Sequence, residues 1–209
     1  MSALTSTVED MDTHSNTVDW NTELAAQLES HWDNQLRPRL AGLTDAEYLW
    51  EPVPGCWNVR RRGDRAAPIS AGTGDHTIDF AWPQPDPPPV TTIAWRLAHV
   101  IVGVFGARNA VHFGGPPADY RTWDYAPTAA GALAQLDDCY SGWIRGVRGL
   151  GAAGLAQACG PAEPFPEASM AALVLHINRE VIHHGAEICL LRDLYRWKGK
   201  GNATALLGG

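Results

Sequence analysis

Glu180 and His184 stand four residues apart in a strongly helical stretch, Ala172 to Leu191, that reads ALVLHINREVIHHGAEICLL. A carboxylate and an imidazole one helical turn apart can grip the same ion. At about 100° per residue, Met170, Leu173, Val181, Ile188, Leu191 and Tyr195 fall within about 40° of Ile177 and define a core stripe. His184 lies about 20° from the stripe's centre and Glu180 about 60°, at the edge of the same face; His176 and His183 lie on the flank, at about 100° and 120°. Helical geometry therefore selects His184 over His183 as the inward imidazole.

An inward carboxylate is costly unless it is paired or bound to a cation, which leaves two readings. In one, Glu180 completes an internal polar network with Arg96, Arg179 or His99. In the other, His99, Glu180 and His184 hold a divalent metal. His99 is the one strongly polar side chain in Leu97-Ala-His-Val-Ile-Val-Gly-Val-Phe-Gly-Ala107, and if buried it must find a partner. Two imidazoles and one carboxylate suit zinc and leave a fourth position for water or substrate, the mark of a catalytic site. Nickel or iron would also fit. His176, Glu187 and Arg96 are the candidates for orienting the ligands, and Trp57, Arg60 and Trp95 for lining the pocket. His31, His76 and His112 show no ligand-like partner. Cys189 lies about 140° around the helix from His184 and is not expected as a ligand.

Four long helical patterns must position these groups. They run from Trp20 to Leu43, with a kink at Pro38, from Thr92 to Phe113, from Ala129 to Leu150 and from Glu167 to Trp197. Thr44-Asp-Ala-Glu47 has the form of a capping box and starts a further turn of helix. Pro, Gly and charged residues interrupt the segment from Pro52 to Val90, where His76 to Trp82 predicts one short strand and Pro83 to Pro89 a stiff extended connector. The connections from Gly114 to Pro127 and from Gly151 to Pro166 are rich in Gly and Pro. The expected architecture is an all-α four-helix bundle over residues 18–197, carrying a long loop insertion at 64–90 between helices one and two. Flexible tails are expected at 1–17 and 198–209.

Composition narrows the function classes. The chain of 209 residues is 45% hydrophobic and 19% charged, and no apolar run is long enough to span a bilayer. The first residues lack the features of a secretory signal, so a cytoplasmic location is expected. A net charge of -7 argues against general adhesion to nucleic acid or an anionic membrane. The basic run Arg60-Arg-Arg-Gly-Asp-Arg65 reads as a solvated loop. Cys56, Cys139, Cys159 and Cys189 form no closely spaced pair and read as free thiols. No P-loop, nucleotide fingerprint, GxSxG elbow or HExxH motif is present.

The succession Gly42-Leu-Thr-Asp-Ala-Glu-Tyr-Leu-Trp-Glu-Pro52, Gly55-Cys-Trp-Asn-Val59, Thr92-Ile-Ala-Trp-Arg-Leu-Ala-His99 and Glu180-Val-Ile-His-His-Gly-Ala-Glu-Ile-Cys-Leu-Leu-Arg-Asp-Leu194 resembles the DinB-like superfamily. That superfamily includes mycothiol-dependent maleylpyruvate isomerases and related bacterial thiol S-transferases. The likeness covers Trp20 to Trp197, with the 64–90 insertion standing apart. It implies a four-helix bundle with a divalent metal at one end of the core. Many members use three histidines, the last two four apart on the final helix, but Arg179 occupies the position four before His183. The isomerase version, His then Glu and His four apart, maps onto His99, Glu180 and His184. The resemblance also implies a low-molecular-weight thiol as cosubstrate, activated at the metal to attack a small-molecule electrophile. The isomerases carry a further C-terminal domain with no counterpart after helix four, so maleylpyruvate is not the expected substrate. The alternative is a non-catalytic metal-binding bundle serving a stress response or a partner protein. Homodimers are common among relatives.

Overall fold

The computed structural model describes residues 18–64 and 66–198; both expected tails, 1–17 and almost all of 198–209, lie outside them, as does Arg65. The described chain is mostly helical. The first helical run begins with α1 (Trp20–His31), capped by Asp19, whose carboxylate accepts from the Asn21 and Thr22 amides. It then passes through a π-helical turn, Trp32–Leu36, into α2 (Arg37–Leu40). Pro38 has no amide hydrogen to donate, and just before it, where a kink is expected at the proline, the Arg37 amide reaches back five residues to the Trp32 carbonyl in a π-helical turn. The run ends at Leu40, not Leu43, because Ala41 is extended and Gly42 has a φ of 68°. The capping box forms as read: Thr44 and Glu47 bond reciprocally and open α3 (Asp45–Tyr48).

The segment from Pro52 to Val90 departs most from expectation. It builds a three-stranded antiparallel sheet from β1 (Val59–Arg61), β2 (Ile69–Ala71) and β3 (His76–Phe80), with β3 in the centre. The expected strand is β3, while β1 and β2 have no sequence counterpart in that reading. Arg60 and Arg61 are therefore strand residues, not a loop, and Arg62 donates to the Gly72 and Gly74 carbonyls. Residues 83–89 bend where a straight connector is expected. An all-α description is thus corrected to a mostly helical one with a small sheet.

The second helical run comprises α4 (Ile93–Ala98), a π-helical stretch, His99–Gly106, and α5 (Ala107–His112), with Thr92 as its N-cap. The third is α6 (Ala129–Arg148), capped by Thr128, and a short α7 (Gly151–Ala156) occupies the connection expected to be a loop. The last is α8 (Met170–Trp197), which starts three residues later than expected because Ser169 caps it. Every one of these runs contributes to one core, where Leu28, Phe105, Trp143 and Val181 are among the side chains fully removed from water. Each such aliphatic side chain contributes roughly 1.5–3 kcal/mol through burial. The inward face of α8 holds Ile177, Val181, His184 and Ile188, but beyond Ile188 it drifts. Arg192 is buried there while Leu191 and Tyr195 are only half-buried, because Glu47 of α3 accepts from the Arg192 Nε at 3.1 Å.

Candidate metal centre

His99, Glu180 and His184 meet where the second helical run crosses α8, each offering a donor atom within 4.8 Å of the others. The Glu180 Oε2 lies 3.4 Å from the His184 Nε2, and the two imidazole rings stand edge to face at 4.6 Å. The opposite nitrogen of each ring is already engaged. His184 Nδ1 lies 2.7 Å from the Glu187 carboxylate and His99 Nδ1 lies 2.6 Å from the Tyr120 hydroxyl. That arrangement fits coordination, because a carboxylate can only accept from Nδ1–H and so favours the tautomer whose Nε2 lone pair is free for a metal, and a hydroxyl oxygen can accept in the same way. Burial, then the neighbouring His184, lowers the His99 pKa to about 4, so the ring is neutral, as a metal ligand must be.

The residues expected to orient the ligands all touch the cluster. Glu187 holds His184, and Arg96 pairs with the same Glu187 oxygen at 3.1 Å, not with Glu180. His176 lies 3.6 Å from Glu180, with Arg179 close to both. Tyr120 has no place in the sequence reading. It comes from the Gly- and Pro-rich connection after α5, where no periodicity points inward. A Cβ on Gly103 would stand 2.0 Å from its hydroxyl, so the approach depends on glycine in the π-helical stretch. π-helical turns of this kind recur at functional sites.

The sheet helps to position this cluster. Asp79 in β3 accepts from the Asn58 amide and the Arg60 Nε, and its carbonyl accepts from the Trp95 indole at 2.8 Å. Trp95 in turn stacks on His99 at 5.7 Å, and Phe80 packs edge-on against Tyr120. Thr73 bonds to the Thr122 and Trp123 carbonyls, tying the Tyr120 segment to the same insertion. Of the expected pocket residues, Trp95 therefore walls the cluster. Trp57 packs behind Trp95, and Arg60 is committed to Asp79, Glu51 and the Cys56 carbonyl. Burial raises the Asp79 pKa, opposed chiefly by Arg60.

A second group, His183, His184 and Glu187, also has metal-ligand spacing, but His183 is exposed and the group lies on α8 alone. His112, expected to lack a partner, bonds to Glu163 at 3.0 Å. All four cysteines are free, and burial raises the pKa of each, which disfavours the thiolate. Among the described residues no helix is long and apolar enough to cross a membrane. A family model described as the DinB superfamily matches residues 27–188. No curated protein and no solved structure matches the chain.

Proposed function

Because the chain belongs to the DinB superfamily, we propose that its helical runs form that family's four-helix bundle and hold a divalent metal, zinc foremost, through His99, Glu180 and His184. We infer further that the protein is a thiol-dependent S-transferase or isomerase. One observation carries the reading: both imidazoles have Nδ1 tied off by an oxygen, which leaves both Nε2 atoms and the Glu180 carboxylate to converge. A metal held there supplies Lewis acidity that favours the ionised form of an added low-molecular-weight thiol at neutral pH. Two ring nitrogens and a single carboxylate would hold the metal, leaving a dication with net positive charge that would complement a thiolate.

The chain's own residues have definite tasks in this reading. Tyr120 and Glu187 hold the Nδ1 protons and so keep each ring in the ligating tautomer. Arg96 balances the Glu187 charge, which leaves Glu180 as the carboxylate facing the centre. Trp95 stacks against His99 and helps to hold the ring's orientation. No cysteine of the chain serves as nucleophile, since burial disfavours each thiolate; the sulfur is the cosubstrate's. The test is turnover of a model electrophile such as 1-chloro-2,4-dinitrobenzene by tag-free protein, with and without added thiol and zinc. Turnover that requires both supports the reading. Turnover unaffected by chelation, or none across a panel of thiols with the metal bound, contradicts it and favours a metal-binding protein without catalysis.

A further inference from the structure

A cavity of about 430 Å³ opens beside the cluster, between the first half of α8 and the segment leading into it. Its volume falls in the range of small-molecule sites. Cys159, Pro164, Phe165, Ala168 and Leu173 give it apolar walls, and Phe165 stands 78% exposed at its edge. Two of its residues, His176 and Arg179, touch Glu180 of the cluster, and Arg108 reaches the backbone beside it. His176 lies 3.6 Å from the Glu180 carboxylate. Arg108 donates to the carbonyl of Gly103, the residue whose α-carbon faces His99 Nδ1 and the Tyr120 hydroxyl.

The charge in this cavity is not balanced within it. Glu163 is answered by Arg108 at 3.2 Å and by His112 at 3.0 Å. Arg179 remains as a cation at the mouth, its Nη2 2.6 Å from His176 and only loosely placed, at 3.5 Å, against Glu180. The buried Nε of Arg108 has no hydrogen-bond partner among the described residues.

We propose that this cavity binds the electrophilic substrate, and that the substrate is an organic anion: a flat apolar body of one or two rings bearing a carboxylate. The apolar walls take the body, and Arg179, on the side of the cavity that adjoins the cluster, takes the carboxylate. The assignment of this ligand as substrate rests on the function proposed above, but its binding does not require the metal.

Equilibrium dialysis of the whole chain against 2-naphthoate and its neutral analogue 2-naphthamide, with and without zinc, tests it. The expected result is saturable binding of naphthoate at about one site per chain, with naphthamide about tenfold weaker, since a hydrogen bond to a charged group is lost. Arg179→Glu, at an exposed position, should weaken naphthoate about tenfold and leave naphthamide unchanged. Ala172→Trp, which fills the cavity from an exposed site on α8, should abolish binding of both while the zinc content stays at the wild-type level. Equal affinity for the two probes overturns the anionic class, and naphthoate binding that survives Ala172→Trp overturns the location. A chain that binds naphthoate but no zinc contradicts the metal reading alone. A chain that binds zinc but no naphthoate contradicts this proposal alone.

Discussion

Replacing Tyr120 with phenylalanine removes one oxygen atom and leaves the ring, so it isolates what the hydroxyl does for His99. That oxygen lies 2.6 Å from His99 Nδ1, and burial has raised its pKa, so it is a neutral hydroxyl at any ordinary pH. Without it, Nδ1 loses its buried partner, at a cost of about 1–3 kcal/mol in the fold. The ligating tautomer is also no longer favoured. Partners of this kind are worth about 10- to 100-fold in metal affinity, or about 1.4–2.7 kcal/mol. Competition titration of zinc against a chelating dye should therefore show a Kd raised by about one to two orders of magnitude in Tyr120→Phe. Gly103→Ala reaches the same hydroxyl from the other side, because the added methyl would stand 2.0 Å from it. Alanine favours a helix over glycine by about 1 kcal/mol, so weakened zinc binding there runs against intrinsic propensity and points to the displaced tyrosine. Zinc affinity within about twofold of wild type in both variants, while His99→Ala abolishes binding, would refute the argument that Tyr120 fixes the ligand.

Other expectations follow from the same geometry. In metal-free protein the neutral form of His99 is favoured by the fold, its pKa falling from 6.5 to about 4. The unfolded chain therefore binds the proton first, and His99 lowers stability as pH falls through that window, by roughly 3 kcal/mol once below it. Urea denaturation from pH 7 to pH 4 should show this loss in wild type and a shallower one in His99→Gln. Arg192→Met leaves the buried Glu47 carboxylate with Thr44 and the half-exposed Arg196, 3.5 Å away, and should cost about 1–3 kcal/mol in urea denaturation. Gly146→Ala would drive a methyl to 2.2 Å from the Phe113 ring and should destabilise by about 1–3 kcal/mol, read as a lowered melting temperature.

Helical spacing made the inward face of α8 readable because one side of the helix meets a dry core. It placed His184 inside and His183 outside, which the burial of the two residues matches. The same stripe failed beyond Ile188, where Arg192 replaces an apolar residue because Glu47 waits for it on another element. A wheel drawn on one helix has no access to that partner. Tyr120 was illegible for a related reason: it sits in an aperiodic connection, and its value depends on a glycine and a histidine 17 and 21 residues earlier in the chain. The sheet was hidden because β1 and β2 are three residues each, too short for alternation to rise above their charged and glycine-rich surroundings. What had looked like an insertion proves to hold Trp95 and to brace the segment that carries Tyr120.

The two groups that could hold a metal share His184. Elemental analysis of tag-free wild type, His99→Ala and His183→Ala, each loaded with zinc and desalted, separates them. About one zinc per chain is expected in wild type and His183→Ala and almost none in His99→Ala. Zinc retained by His99→Ala and lost from His183→Ala would contradict the assignment to His99, Glu180 and His184.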